Sequence, residues 1–189
     1  GGYGVRFAQW LHSADPQPYN SFGNGSAMRV APCGWLGSLG EVLKAARLSA
    51  ECTHNHPEGI KGAQCVAHAI ALALSGSGKD AIKQITTETY GYDLSINCAA
   101  LRESYYFNET CQGTVPQAIT CFLESHDFES AIRLSISIGG DSDTLAAITG
   151  SIAEAYYGIP KDIEQKALSY LTEEFKVVVR RFQQTFSIG

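Results

Sequence analysis

Apolar positions along the chain fall mostly at helical spacing. From Ile163 they recur at 163, 167, 168, 171, 175, 178, 179, 182 and 186. That is a 3.6-residue rhythm held over several turns. Pro160, after Gly158 and Ile159, suits the first turn of such a helix. Leu145, Ile148, Thr149, Ile152, Ala153 and Tyr156 form a second stripe, which Gly158 ends. Val42, Ala46 and Ala50 mark a helix over 39–52, and further helices are predicted over 57–74 and 79–88. Period-two alternation occurs only over 134–138. It follows Phe128, Ala131 and Ile132 at helical spacing, so it reads as the end of a helix. The stretch 90–115 is the least regular, Tyr-rich and punctuated by Gly91, Asn97, Asn108 and Gly113. With no repeat, linker or low-complexity tract, the pattern predicts an all-α fold. It is one compact multi-helix domain over 1–189, with functional loops between helices.

Composition narrows the class. The 189 residues fit one domain. At 44% hydrophobic and 17% charged they supply a full core, which excludes disorder. The longest apolar run, 65–74, carries His68 and stops at Ser75 and Gly76. It is too short for a membrane span and reads as a buried helix. A net charge of −5 with scattered basic residues, Arg180 and Arg181 being the one notable pair, argues against a nucleic-acid partner. An anionic ligand would need local devices: helix N-termini, backbone amides or a metal. The six cysteines, at 33, 52, 65, 98, 111 and 121, include no CxxC pair and are too sparse for a disulfide scaffold. No signal peptide is expected before them. They read as reduced, mostly buried thiols of a cytoplasmic protein. The chain opens Gly1-Gly2-Tyr3 without a Met, as a fragment, a processed chain or an internal start would.

Four segments carry candidate chemistry. In Gly139-Gly140-Asp141-Ser142-Asp143-Thr144, oxygens at i, i+2 and i+3 can converge on one hard cation. The same residues before an apolar run also make an ordinary helix cap. Two carboxylates and two hydroxyls exceed what a cap needs, and like charges so close require a neutralising partner. Tyr19-Asn20-Ser21-Phe22-Gly23-Asn24-Gly25-Ser26 leads into an expected helix over 26–33. Its amides could hold a diphosphate, or it could be a plain tight turn. In Thr53-His54-Asn55-His56-Pro57, the i, i+2 histidines suit a metal pair poorly. Thr53 or Asn55 would cap the helix that follows, and His54 would contact a ligand. His68 reads as a core histidine. The fourth segment, Cys111 to Gln117, reads as a loop shaped by Gly113 and Pro116, leading into a helix over 117–123.

Together these segments resemble the ADP-ribosylglycohydrolase family, the group that includes dinitrogenase-reductase-activating glycohydrolase. The matching stretches are 21–29, 53–57, 113–118 and 139–147, in the family's order, and the likeness runs through nearly the whole chain. The resemblance implies an all-α fold and a site with two Mg²⁺ ions, or Mn²⁺, that removes ADP-ribose from a protein or small-molecule acceptor. By position, Asp141, Asp143 and Thr144 would be metal ligands, with Asp141 and Asp143 catalytic. Tyr19, Asn20, Ser21, Phe22, Gly23, Asn24, Gly25 and Ser26 would wrap ADP-ribose. His54 would contact its diphosphate or ribose, and Val115 would line the adenosine side.

Family members also carry an N-terminal segment with a catalytic Glu and a Thr-Asp-Asp-Thr motif. This sequence has no Asp-Asp pair and begins, in the family's order, after that motif. The expectation is therefore an N-terminally truncated relative whose uncovered face associates with another surface. Two carboxylates bring −2 against the +4 of two divalent ions, so weak metal binding and poor hydrolysis are expected of this chain alone. A non-catalytic ADP-ribose or nucleotide binder and a purely structural relative are the rival readings. The linkage cut is not legible.

Overall fold

The computed structural model describes residues 3–186, so Gly1 and Gly2 of the opening motif lie outside it. Its helices are α1 (Val5–Leu11), α2 (Gly25–Met28), α3 (Leu39–Glu51), α4 (Pro57–Leu74), α5 (Lys79–Gln84), α6 (Cys98–Ser104), α7 (Cys111–Glu124), α8 (Phe128–Ser137), α9 (Ser142–Tyr157), α10 (Lys161–Ser169) and α11 (Glu173–Phe186). A 3₁₀ turn covers Ala31–Trp35. Among the described residues the only β pairing is an isolated bridge between Gly23 and Thr110. The all-α expectation holds.

Helix α4 is the hub, packed against α2, α3, α7 and α9. Its small and apolar residues, among them Ala63, Val66, Ala67 and Ile70, are buried almost all round, as a central helix requires. Its start differs from expectation. His56, not Thr53 or Asn55, caps it: His56 Nδ1 accepts from the Glu58 amide at 3.1 Å. Pro57 then opens the first turn, where its missing N–H costs nothing. Gly62 lets α7 come close, because a Cβ there would stand 2.5 Å from Cys111 Sγ.

The irregular stretch contains two helix starts fixed by side-chain caps. Asn97 Oδ1 accepts from the Ala100 amide at 2.9 Å and starts α6. Thr110 Oγ1 accepts from the Gly113 amide at 3.0 Å and starts α7 six residues before the expected 117. Pro116 therefore lies inside α7, where it fixes φ at the loss of one ladder bond. The helix predicted over 79–88 is α only to Gln84 and continues as a π-helical turn, Ile85–Thr89. The stripe from Ile163 is split into α10 and α11. Phe182 and Phe186 of α11 pack on Trp35, with ring centroids 5.9 and 6.3 Å away. Helix α1 had no periodic signal and buries no residue.

All six cysteines are free thiols, and Cys65, Cys98, Cys111 and Cys121 are buried. His68 is a core histidine as expected, with Nδ1 3.2 Å from the Tyr90 hydroxyl. Among the described residues no helix is long and apolar enough to cross a membrane.

Candidate active site

The loop before α2 is laced to two other segments. On one side it meets the turn before α4: the Asn20 amide donates to Asn55 Oδ1 at 2.7 Å, and the Ser21 amide to the Thr53 carbonyl at 3.3 Å. Asn20 takes a left-handed φ of 55° there, a conformation Asn tolerates better than most residues. On the other side it meets the start of α7: the Asn24 amide donates to the Glu109 carbonyl at 2.7 Å, and the Cys111 amide to the Phe22 carbonyl at 2.9 Å. Ser26 is fully buried and donates to the Gly59 carbonyl at 2.8 Å, so it anchors the loop from below. The expected helix over 26–33 is only the four residues of α2 followed by the 3₁₀ turn.

A cleft of about 710 Å³ opens over this loop, within the usual range for small-molecule sites. Tyr19, Ser21, Gly23, Asn24, Gly25 and His54 line it, together with Arg6, Met28, Arg29 and Glu109. The Arg6 guanidinium sits 4.9 Å from the Tyr19 ring centroid and donates to the Tyr19 carbonyl. Tyr19 and His54 hold their rings 6.2 Å apart. A Cβ on Gly23 or on Gly25 would stand in van der Waals contact with His54 Nε2, at 3.4 Å, so the two glycines keep that ring edge clear of side chains. Burial, helped by the positive charges of Arg29 and Arg6, lowers the His54 pKa to about 4. The imidazole is therefore neutral at pH 7. The guanidinium of Arg29 donates to the Ser49 carbonyl at 2.8 Å and to Thr53 Oγ1 at 3.0 Å.

The acidic turn is shaped by Gly139 and Gly140, with φ of 76° and 67°. A Cβ at Gly140 would strike the Tyr105 ring at 2.4 Å. Asp141 precedes α9 but makes no capping bond. Its Oδ2 instead accepts from Asn24 Nδ2 at 2.7 Å. The capping reading therefore fails for Asp141. Burial raises its pKa, and so does the Asp143 carboxylate, against hydrogen bonds from Asn24 and Thr144. Such a pair has the donor chemistry and the unbalanced charge that a hard cation satisfies. Thr144 Oγ1 lies 3.7 Å from Met28 Sδ, a second tie to the cleft. Among the described residues no group of three or more His, Cys, Asp or Glu side chains is arranged to hold a metal.

Asn24 is the junction of the site. Besides Asp141 it donates to Thr114 Oγ1 at 3.0 Å and to the Asn108 carbonyl at 3.4 Å. Val115 is elsewhere: it is fully buried, facing α4 near Gly62, because α7 turns it into the core. The residues overlooked in the sequence are Arg6, Arg29 and Glu109. Arg29 lies inside the 21–29 stretch that carries the family resemblance, and its position four residues after Gly25 was the available signal. Arg6 lies in a stretch with no pattern to flag it.

The chain is similar to several known proteins. The ADP-ribosylglycohydrolase sequence profile matches residues 3–187. ADP-ribosylhydrolase ARH3 of Homo sapiens is 30% identical over 215 aligned residues, covering 88% of this chain and 59% of the relative. ADP-ribosyl-[dinitrogen reductase] glycohydrolase of Rhodospirillum rubrum is 27% identical, with 88% and 56% covered. A solved structure described as an ADP-ribosylglycohydrolase-related protein complex superimposes with a TM-score of 0.65 at 27% identity, covering 82% of this chain and 59% of that one. The chain thus spans somewhat under 60% of the length of these relatives. With the profile matched almost end to end and the fold shared, the chain belongs to the ADP-ribosylglycohydrolase family.

Proposed function

We propose that the cleft binds ADP-ribose and that the acidic turn serves its hydrolytic release from a modified protein side chain or a small conjugate. The observation that carries this reading is the 2.7 Å bond from Asn24 to Asp141, which joins the ligand-sized cleft to the paired carboxylates. The guanidinium groups of Arg6 and Arg29 supply positive charge for a diphosphate, and the neutral His54 supplies a hydrogen-bonding edge. The loop from Tyr19 to Gly25 holds the nucleotide sugar, with Ser26 as its buried anchor. Val115 has no place in the site.

Asp141, Asp143 and Thr144 fit Mg²⁺ or Mn²⁺, as the oxygen donors such hard ions prefer. Bound there, divalent cations would supply positive charge against the ribose hydroxyls and ease the deprotonation of a water. In the reaction the bond from C1″ of the ribose to its acceptor breaks, a C1″–oxygen bond to water forms, and one water proton passes to the acceptor. The transition state carries oxocarbenium character, as in other glycosyl transfers to water. The carboxylates of this chain orient what binds at the turn, while the loop and His54 fix the sugar against it. The six free thiols fit the cytoplasm.

The test is release of ADP-ribose from ADP-ribosylated protein, measured with the full chain and with Asp141→Asn and Asp143→Asn. The expected result is slow Mg²⁺-dependent release that falls by about 10²-fold or more in either variant. Undiminished release sinks the assignment. A second reading, binding without turnover, is favoured by one observation: among the described residues only two carboxylates are grouped at this turn. Tight ADP-ribose binding with no release in Mg²⁺ would select it.

A further inference from the structure

Which ring nitrogen of the neutral His54 carries the proton is decided by its neighbours. Thr53 is only 1% exposed, so its hydroxyl must pair within the protein. A hydroxyl has one hydrogen and two lone pairs. Arg29 Nη2 lies 3.0 Å from Thr53 Oγ1 and can only donate, so one lone pair is taken. His54 Nδ1 lies 2.7 Å from the same oxygen. The remaining neighbour is Cys52 Sγ at 3.9 Å, a weak acceptor already turned toward the Ser49 carbonyl at 3.4 Å.

If Nδ1 carried the proton, Thr53 would accept twice and its own hydrogen would face only the distant thiol. If Nδ1 is bare, every group pairs: Arg29 donates to Thr53, and Thr53 donates to Nδ1. We propose that Arg29 and Thr53 are positioning residues that hold His54 as the Nε2–H tautomer, so that its ring offers the cleft a neutral hydrogen-bond donor beside Gly23 and Gly25. Among the described residues nothing accepts from Nε2, which faces the loop glycines. A donor held there selects phosphate or hydroxyl oxygens, the acceptors that a sugar diphosphate displays. That last step rests on reading the cleft as an ADP-ribose site, whereas the tautomer does not.

The test is ¹⁵N NMR of the histidine rings in the full chain at pH 7, with His54 assigned by its loss in His54→Gln. The expected spectrum has Nε2 in the protonated range and Nδ1 in the bare range. In Thr53→Val, which keeps the side-chain shape, both shifts move toward the average of the two tautomers. Thr53→Ser restores the locked pattern. ADP-ribose affinity falls about tenfold in Thr53→Val and recovers in Thr53→Ser. An Nδ1–H pattern in the native chain overturns the proposal, and that reading needs no variant to fold. A locked pattern that survives Thr53→Val overturns it too, as does unchanged affinity in that variant. A locked, Thr53-dependent pattern in a chain that does not bind ADP-ribose bears the tautomer out and brings down the functional reading instead.

Discussion

The loop over 19–26 and the acidic turn over 139–144 differ in how they are held. The loop is hydrogen-bonded to the turn before α4, to the start of α7 and, through Ser26, to Gly59. The acidic turn reaches the rest of the site through Asn24 and the Thr144–Met28 contact. Burial, and after it the neighbouring Asp143 carboxylate, disfavour the charged form of Asp141. On the proposed function, the loop is a preformed cradle whose ligand need not organise it. The turn, on the same proposal, is a charged pair that a divalent cation would balance. The loop over 19–26 is thus tied on three sides, whereas the acidic turn brings only two carboxylates together, with Asn24 bonded to one of them.

Gly59→Ala should break the cradle and spare the turn. Its Cβ would stand 2.7 Å from the Ser21 carbonyl oxygen and 2.9 Å from that of His54, both main-chain atoms with little room to yield. Overpacking of this kind costs about 1–3 kcal/mol. Thermal melting should drop by about 3–10 °C, and ADP-ribose affinity on the order of 10–100-fold. Metal affinity at the turn should stay at its native value. An affinity loss at both places would mean the two regions are not separately built.

Asn24→Ala acts the other way, removing the tether while leaving the loop's main-chain bonds. Titration with Mn²⁺ alone should show about tenfold weaker binding, the usual scale for losing a group that orients a metal ligand. Unchanged Mn²⁺ affinity would show that the bond to Asp141 orients nothing.

The smallest effect belongs to pH. The folded chain holds His54 neutral to about pH 4, against an ordinary 6.5 in the unfolded chain. Between those values the unfolded chain takes up a proton that the folded one refuses. His54 should therefore withdraw stability as pH falls from about 6.5 toward 4 and have no effect above. Melting curves at pH 7.5, 6.5 and 5 should show the native chain losing about 3 °C more than His54→Gln over that range. Parallel losses would place the His54 pKa near its ordinary value.

Much of the scaffold was legible because its stripes are long. The helices over 39–52 and 57–74 and the stripe ending at Gly158 appear as α3, α4 and α9. The missed elements have local causes. Helix α6 and the first turn of α7 rest on the caps Asn97 and Thr110, which look like any loop polar residue in sequence. The stripe from Ile163 keeps its phase through Tyr170–Thr172, so periodicity alone does not see the break. Val115 fell in a stretch that Gly113 and Pro116 marked as a loop, and the resemblance set it beside the adenosine, yet the helix turns it inward. The turn, the loop and His54 could be nominated by residue type. The bond that unites them joins positions 24 and 141, and no local pattern encodes a pairing 117 residues apart.

The most direct measurement is calorimetric titration of the full chain with ADP-ribose in Mg²⁺ and again in EDTA, repeated for Asp141→Asn. A single site spanning cleft and turn requires that each ligand favour the other. The expected result is binding in both buffers, about fivefold or more tighter with Mg²⁺, and no such difference in Asp141→Asn. Identical affinities with and without the ion in the native chain, or no binding at all, would contradict it.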